Sequence, residues 1–408
     1  MTRGPRILNG TPAAVLSTGL AAVIGAALIG ASFPWYDELP IHRVILRQFA
    51  ETGAITQHTF PFLYGGIAAL AELSIGQYPL HLALYFLSVA LVLLLGRRYG
   101  LCGPGLAALG LLAAWHPYML LGTIRLNDNA VNVPLMLGFA LALALWKRDG
   151  GHARAALFGL VFGVFFCSRA NVGLLALVPL AMLAFPRAFG ETRMRARELG
   201  AAVAGFLLAW IGLSGLFTDT WVFFPQNGPY NLFVGANPFS AEALLARNNA
   251  EYSLAPALAL YGIEIPKGVH QWVYDPSVYR GYAFGFIFHH PLEYVWLAVL
   301  KAKVYFGPDL VYADGVLEVA AQWLTACVQP LWLLVAFLAW RLTGRRVRPE
   351  VALILVLYAL PFLAINADPR FRLPADLLAL VDGAARAAML WSATRRDTTA
   401  ATHGGGTS

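Results

Sequence analysis

The chain has 408 residues, of which 59% are hydrophobic and only 12% charged, with a mean hydropathy of +0.63 and a net charge of +7. Soluble domains carry roughly 25% charged residues, so this composition excludes an ordinary soluble enzyme. It also gives no support to nucleic-acid binding, because the basic residues fall in the turns between apolar runs, where membrane topology accounts for them.

From Arg6 to Asp37 no residue is charged. That run exceeds the apolar core of a secretory signal and predicts a first transmembrane helix over 12–33. Further crossings are expected at 79–96, 104–122, 129–146, 155–169, 171–186, 199–217, 316–340, 351–366 and 373–391. The runs are continuous Ala/Leu/Val stretches, not the alternating ten-residue segments of a barrel. The expected fold is therefore an all-α polytopic membrane protein of about ten transmembrane helices, with juxtamembrane helices on its outer face. One transmembrane domain spans 1–396, and the Thr/Gly-rich segment 397–408 is expected to be a disordered cytoplasmic tail. The basic clusters are Arg97–Arg98, Lys147–Arg148 with Arg154, Arg187 to Arg197, and Arg341 to Arg348. Assigned to the cytoplasm, they put both termini inside. Lys147, Lys267, Lys301 and Lys303 are the only lysines among 29 basic residues, a bias that points to a GC-rich bacterium and so to its plasma membrane. Cys102, Cys167 and Cys327 have no metal-ligand spacing and are expected to pack as small apolar side chains.

With this topology most of the 22 acids lie at the outer face, in two longer regions, 34–78 and 218–315. In the first, Ile41, Val44, Ile45 and Phe49 share one helical face, and 61–76 reads as an apolar segment in or near the interface. The second contains NLFVGANP and HHPLEYVWLAVLKAKVYF, whose aromatics and lysines suit the headgroup layer.

Three outer turns hold residues able to do chemistry. FPWYDELP sets Asp37 and Glu38 at a membrane boundary, where partial desolvation raises a carboxylate's basicity; the plain alternative is that they mark the end of a helix. TIRLNDNA packs Arg125, Asn127, Asp128 and Asn129 into a tight turn, in which Asp128 is placed to hold a metal, an acceptor hydroxyl or Arg125. NADPRFRLPAD offers Arg370 and Arg372 to an interfacial phosphate, or to Asp368 and Asp376 as ion-pair partners. Arg169, in FFCSRAN, adds a third cation.

In order along the chain, YDE, FPFLYGG, RLNDNA, SRAN, NLFVGANP, HHPLEYVWLAVLKAKVYF and PRFRLPADLLAL resemble the polyprenyl-phosphate-dependent glycosyltransferases of the C superfamily. These are the relatives of protein O-mannosyltransferases and the lipid A aminoarabinose transferase. The resemblance implies that Asp37 is the first-loop acidic residue, the base or part of the acceptor site, Asp128 the second acidic position, and Arg372 a residue suited to the donor phosphate. Where relatives of the aminoarabinose transferase carry an acidic-basic pair, this chain reads QHTFP, leaving His58 there.

A sugar held on a lipid phosphate leaves as an anion, so one base and a cationic clamp suffice where a glycosidase needs an acid as well. The expectation is transfer from a polyprenyl-phosphate sugar to a protein, lipid or glycan hydroxyl, with inversion. Asp37 would act as base, Asp128 and Glu38 would position the acceptor or a divalent ion, and Arg372 with Arg370 or Arg169 would hold the phosphate. Asp37 and Asp128, with His58, are the candidate metal ligands. A secondary transporter is the rival, its midplane candidates being Asp382 and Arg386, four apart on the last helix. A non-catalytic assembly subunit is the third reading.

Overall fold

A long uncharged run in a lipid environment must close its own backbone hydrogen bonds, and Thr11–Ser32 does so as one helix. The computed structural model describes residues 11–32, 36–37, 47–55, 62–123, 125–126, 128–190, 192–219, 227–247, 249–267, 269, 271, 274–308, 316–344, 348–367 and 369–403. Each apolar run named above is helical over most of its length. Among the described residues the other regular structure is a pair of two-residue strands, Tyr36–Asp37 and Arg125–Leu126, and an isolated bridge between Ile55 and Thr218.

Among the described residues five helices are long and apolar enough to cross a bilayer: Pro12–Ala31, Gln77–Arg98, Asn129–Asp149, Ala196–Phe217 and Gln322–Thr343. Pro276–His289 and Pro291–Phe306, bent by 106°, make a sixth if the pair counts as one span. The other predicted crossings are shorter, interrupted or more polar. The 104–122 run breaks at Trp115 and His116, ahead of Pro117, into Gly103–Ala114 and Pro117–Leu121. The 171–186 run opens as a 3-10 helix, Ala170–Ala176, before Leu177–Ala184. His152–Ser168 and Pro349–Ala364 have 17 and 16 residues. Leu373–His403 carries Asp376, Asp382 and Arg386, all three buried. It also runs past Arg396, where the sequence predicts a disordered tail, because each residue added to an existing helix brings its own hydrogen bond.

The turns sort to two ends of the bundle. At one end Lys147 pairs with Glu350 at 2.8 Å, the Trp146 indole donates to Glu198 at 2.6 Å, and the Gly151 N–H donates to the same carboxylate at 2.8 Å. Gly150, with φ at +65°, makes the tight reversal into the next helix. Arg348 reaches the Tyr99 carbonyl and Asp382 at this end, so the basic turns around 97–99, 147–151, 193–198 and 348–350 are neighbours. At the other end the Tyr64 hydroxyl meets His81 Nε2 at 3.1 Å, while His81 Nδ1 donates to the Gly122 carbonyl at 2.9 Å. FPFLYGG thus anchors the turn that leads into RLNDNA. Phe62–Ser74 is not a surface helix: Phe62, Leu63 and Tyr64 are buried in a small core with Phe49, Ile55, Val131, Cys167 and Phe217. The main core joins the spanning helices to Tyr230, Phe233, Tyr279 and Tyr305, so the 218–315 region packs onto the bundle. Cys167 packs as expected, whereas Cys102 and Cys327 are exposed.

The tightest helix contact joins His152–Ser168 to Leu199–Phe217 through small residues. A Cβ at Gly159 would overlap the Ala202 carbonyl, one at Gly205 the Ala156 carbonyl, and one at Gly163 would lie 2.6 Å from the Phe206 carbonyl. Between lipid-exposed helices such close approach replaces the hydrophobic drive. Gly159→Leu is expected to destabilise the protein by roughly 1–3 kcal/mol or more, read as a lower melting temperature in detergent.

Candidate functional site

Asp128 stands where a helix N-cap would, immediately before Asn129–Asp149, yet its carboxylate makes no capping bond. It turns instead across the bundle. Its Oδ2 accepts from Arg169 Nη2 at 2.5 Å and from Asn132 Nδ2 at 3.0 Å, and Asn132 Oδ1 in turn accepts from the Ser168 hydroxyl at 2.8 Å. The pair is lopsided: the Arg169 side chain is 7% exposed and that of Asp128 24%. A buried guanidinium is thereby fixed behind a carboxylate that keeps an open edge.

Two positions before Asp128, Leu126 pairs with Asp37, and Tyr36 pairs with Arg125, in a parallel bridge. The bridge joins the FPWYDELP turn to the TIRLNDNA turn and sets the backbone of Asp37 beside that of the Asp128 turn. The third turn closes on the same place. The Arg169 guanidinium carbon lies 4.5 Å from the Phe371 ring centre and 5.7 Å from that of Phe362, cation–π contacts that gain from desolvation. Phe371, Phe362 and Tyr305 stack in series at 5.1 and 5.6 Å, and the Tyr358 hydroxyl donates to the Phe371 carbonyl at 3.1 Å.

Arg372 points away from this surface. Its Nε donates to Asp376 at 2.9 Å and its Nη1 to the carbonyls of Tyr305 at 2.7 Å and Gly307 at 3.2 Å, while Asp376 also accepts from Gln329 at 2.9 Å. Both charged side chains are essentially unexposed. Of the partners the sequence offered Arg372, a phosphate, Asp368 or Asp376, the fold supplies Asp376.

Asp128 and Arg169 are in direct contact, and Arg372 lies on the adjoining wall through Phe371 and Tyr305. For Asp37, Arg125 and Arg370 the description covers the backbone and not the side chain, and Glu38, His58, Asn127 and Asp368 lie outside the described residues. Among the described residues no group of three metal-ligating side chains occurs. Asp128 Oδ2 already faces a guanidinium, which makes it a poor seat for a divalent cation. Asp382 and Arg386 pair as their spacing predicts, at 2.6 Å, but Asp382 also receives Arg348 at 2.5 Å and the Trp332 indole at 2.9 Å. Through Arg348 this network reaches the basic turns, at the end of the bundle away from Asp128.

The sequence reading missed the Asn132–Ser168 relay and the buried Lys301. Asn132 left a signal, a polar side chain inside an apolar helix; Lys301 left none beyond its residue type. Comparison with family models, with curated proteins and with solved structures returns no match for this chain.

Proposed function

We propose that this protein is a membrane glycosyltransferase that moves a sugar from a polyprenyl-phosphate donor to an acceptor hydroxyl at the outer face of a bacterial plasma membrane, through a bundle of about ten crossings. The observation that carries the reading is the pairing of Tyr36–Asp37 with Arg125–Leu126, which draws two acid-bearing turns together beside Arg169. Asp37 takes the acceptor proton as the acceptor oxygen bonds to the anomeric carbon. The bond from that carbon to the phosphate oxygen breaks with its electron pair, and attack opposite the leaving group inverts the centre. Asp128 fixes Arg169, whose charge, with that of Arg370, favours the developing phosphate anion. Arg372 stiffens the wall through Asp376 and contributes position instead of contact.

The test is transfer of labelled sugar from polyprenyl phosphate in reconstituted membranes. Asp37→Asn should lower turnover by about 10²-fold or more with folding intact. Asp382→Asn, at the inner network, should leave turnover per folded molecule unchanged. The opposite pattern would favour a transporter.

A further inference from the structure

Of the four lysines only Lys301 is buried, and its exposure is 0%. Its ammonium donates to the Ala364 carbonyl at 3.0 Å and lies 5.3 Å from the centre of the Tyr294 ring, whose hydroxyl donates to the same carbonyl at 2.7 Å. Ala364 ends its helix, so the site has the partial negative charge of a helix C-terminus. That is half a charge at most, against a full one. An ammonium has three donors, and among the described residues no carboxylate lies within ion-pairing distance of this one. Left so, a desolvated cation costs several kcal/mol.

The surroundings are as unfinished as the ammonium. Gly235, from NLFVGANP, presses its backbone against this point: a Cβ there would overlap the Ile365 carbonyl and come within 3.1 Å of the Lys301 ammonium. Asn366 Oδ1, two residues past Ala364, is buried without a partner among the described residues. Tyr305, one helical turn beyond Lys301, has a buried hydroxyl that also lacks a partner among them, and its ring stacks on Phe362, which borders Arg169. The under-bonded ammonium and the Asn366 amide thus belong to the Ala364 helix end, and the Tyr305 hydroxyl lies one turn along the Lys301 helix, on the ring stack that borders Arg169, at the end of the bundle opposite the basic turns.

We propose that Lys301 is the cation that receives the phosphate of the lipid donor. This rests on the transferase reading and supplies the cation that Arg372, committed to Asp376, does not. During transfer the phosphodiester monoanion becomes a phosphomonoester carrying one more negative charge, and Lys301 gains attraction for it as the sugar departs.

The full-length protein in lipid nanodiscs is titrated with polyprenyl monophosphate, with inorganic phosphate and with the phosphate-free polyprenol. Lys301→Gln is expected to weaken polyprenyl monophosphate binding about tenfold or more and to leave polyprenol binding unchanged. Equal weakening for inorganic phosphate would assign the site to free phosphate. Wild-type affinity in folded Lys301→Gln overturns the proposal. The four lysines also allow a test without altering Lys301: in protein labelled with 15N at lysine Nζ, saturating lipid phosphate should move the Lys301 signal, assigned through Arg substitutions of Lys147, Lys267 and Lys303. A signal that stays in place also overturns the proposal. Lys301-dependent binding of lipid phosphate without any sugar transfer would keep the site and defeat the transferase reading instead.

Discussion

Asp128→Asn should reduce sugar transfer by about 10²- to 10³-fold, and Arg169→Gln by a similar factor, while the double variant is no worse than either single one. The reason is the geometry of the pair. Asp128 Oδ2 sits 2.5 Å from Arg169 Nη2, and the guanidinium carbon lies over the Phe371 ring. Asparagine keeps the shape and the bond from Asn132 in one amide orientation, but removes the charge that fixes the guanidinium. Two residues that act as one unit show strongly non-additive losses, and a double-mutant cycle measures that coupling. Were the losses to multiply, Asp128 would have a task of its own, such as touching the acceptor. The measurement is initial transfer rate at saturating donor, with melting temperature as the control for folding.

The largest effect on stability should come from the third turn. Arg372→Met strands a buried Asp376, and Asp376→Leu strands a buried Arg372; each should cost about 3–5 kcal/mol, enough to leave little folded protein. Combining the two removes both charges and should recover most of the loss. About 1–3 kcal/mol would still be missing, because the Tyr305 and Gly307 carbonyls and the Gln329 amide lose their partners. Denaturation monitored by fluorescence-detected size exclusion distinguishes the three proteins. A folded Arg372→Met variant with lost transfer would instead return Arg372 to the donor phosphate.

How much of this was readable beforehand depends on the range of the interaction involved. Helices such as Gln77–Arg98 and Leu199–Phe217 match the expected crossings to within about three residues, because an apolar run ending in arginine is a local signal. Arg372 with Asp376 and Arg386 with Asp382 are four apart on a helix, and spacing alone names each pair as possible. Asp128 stood out as an acid in an over-polar turn, able to hold a metal, an acceptor hydroxyl or Arg125, but its contact with Arg169, from the far end of the next helix, has no local signal. Only packing of Asn129–Asp149 against His152–Ser168 selects it. Lys301 was read as a headgroup lysine on the strength of flanking aromatics, and nothing short of the Pro349–Ala364 helix closing over it reveals its burial.

The Asp382 network has a mechanical consequence. Arg348, Arg386 and Trp332 lash three helices and a turn together around one carboxylate at one pole, whereas the opposite pole, which has its own buried pair in Arg372 and Asp376, is assembled from two-residue strands, 3-10 turns and helices interrupted at His116. The bundle is cross-tied at one pole and built of shorter pieces at the other. If the protein is the transferase proposed above, a long isoprenoid chain would enter sideways between the shorter pieces without threading the full depth of the bundle.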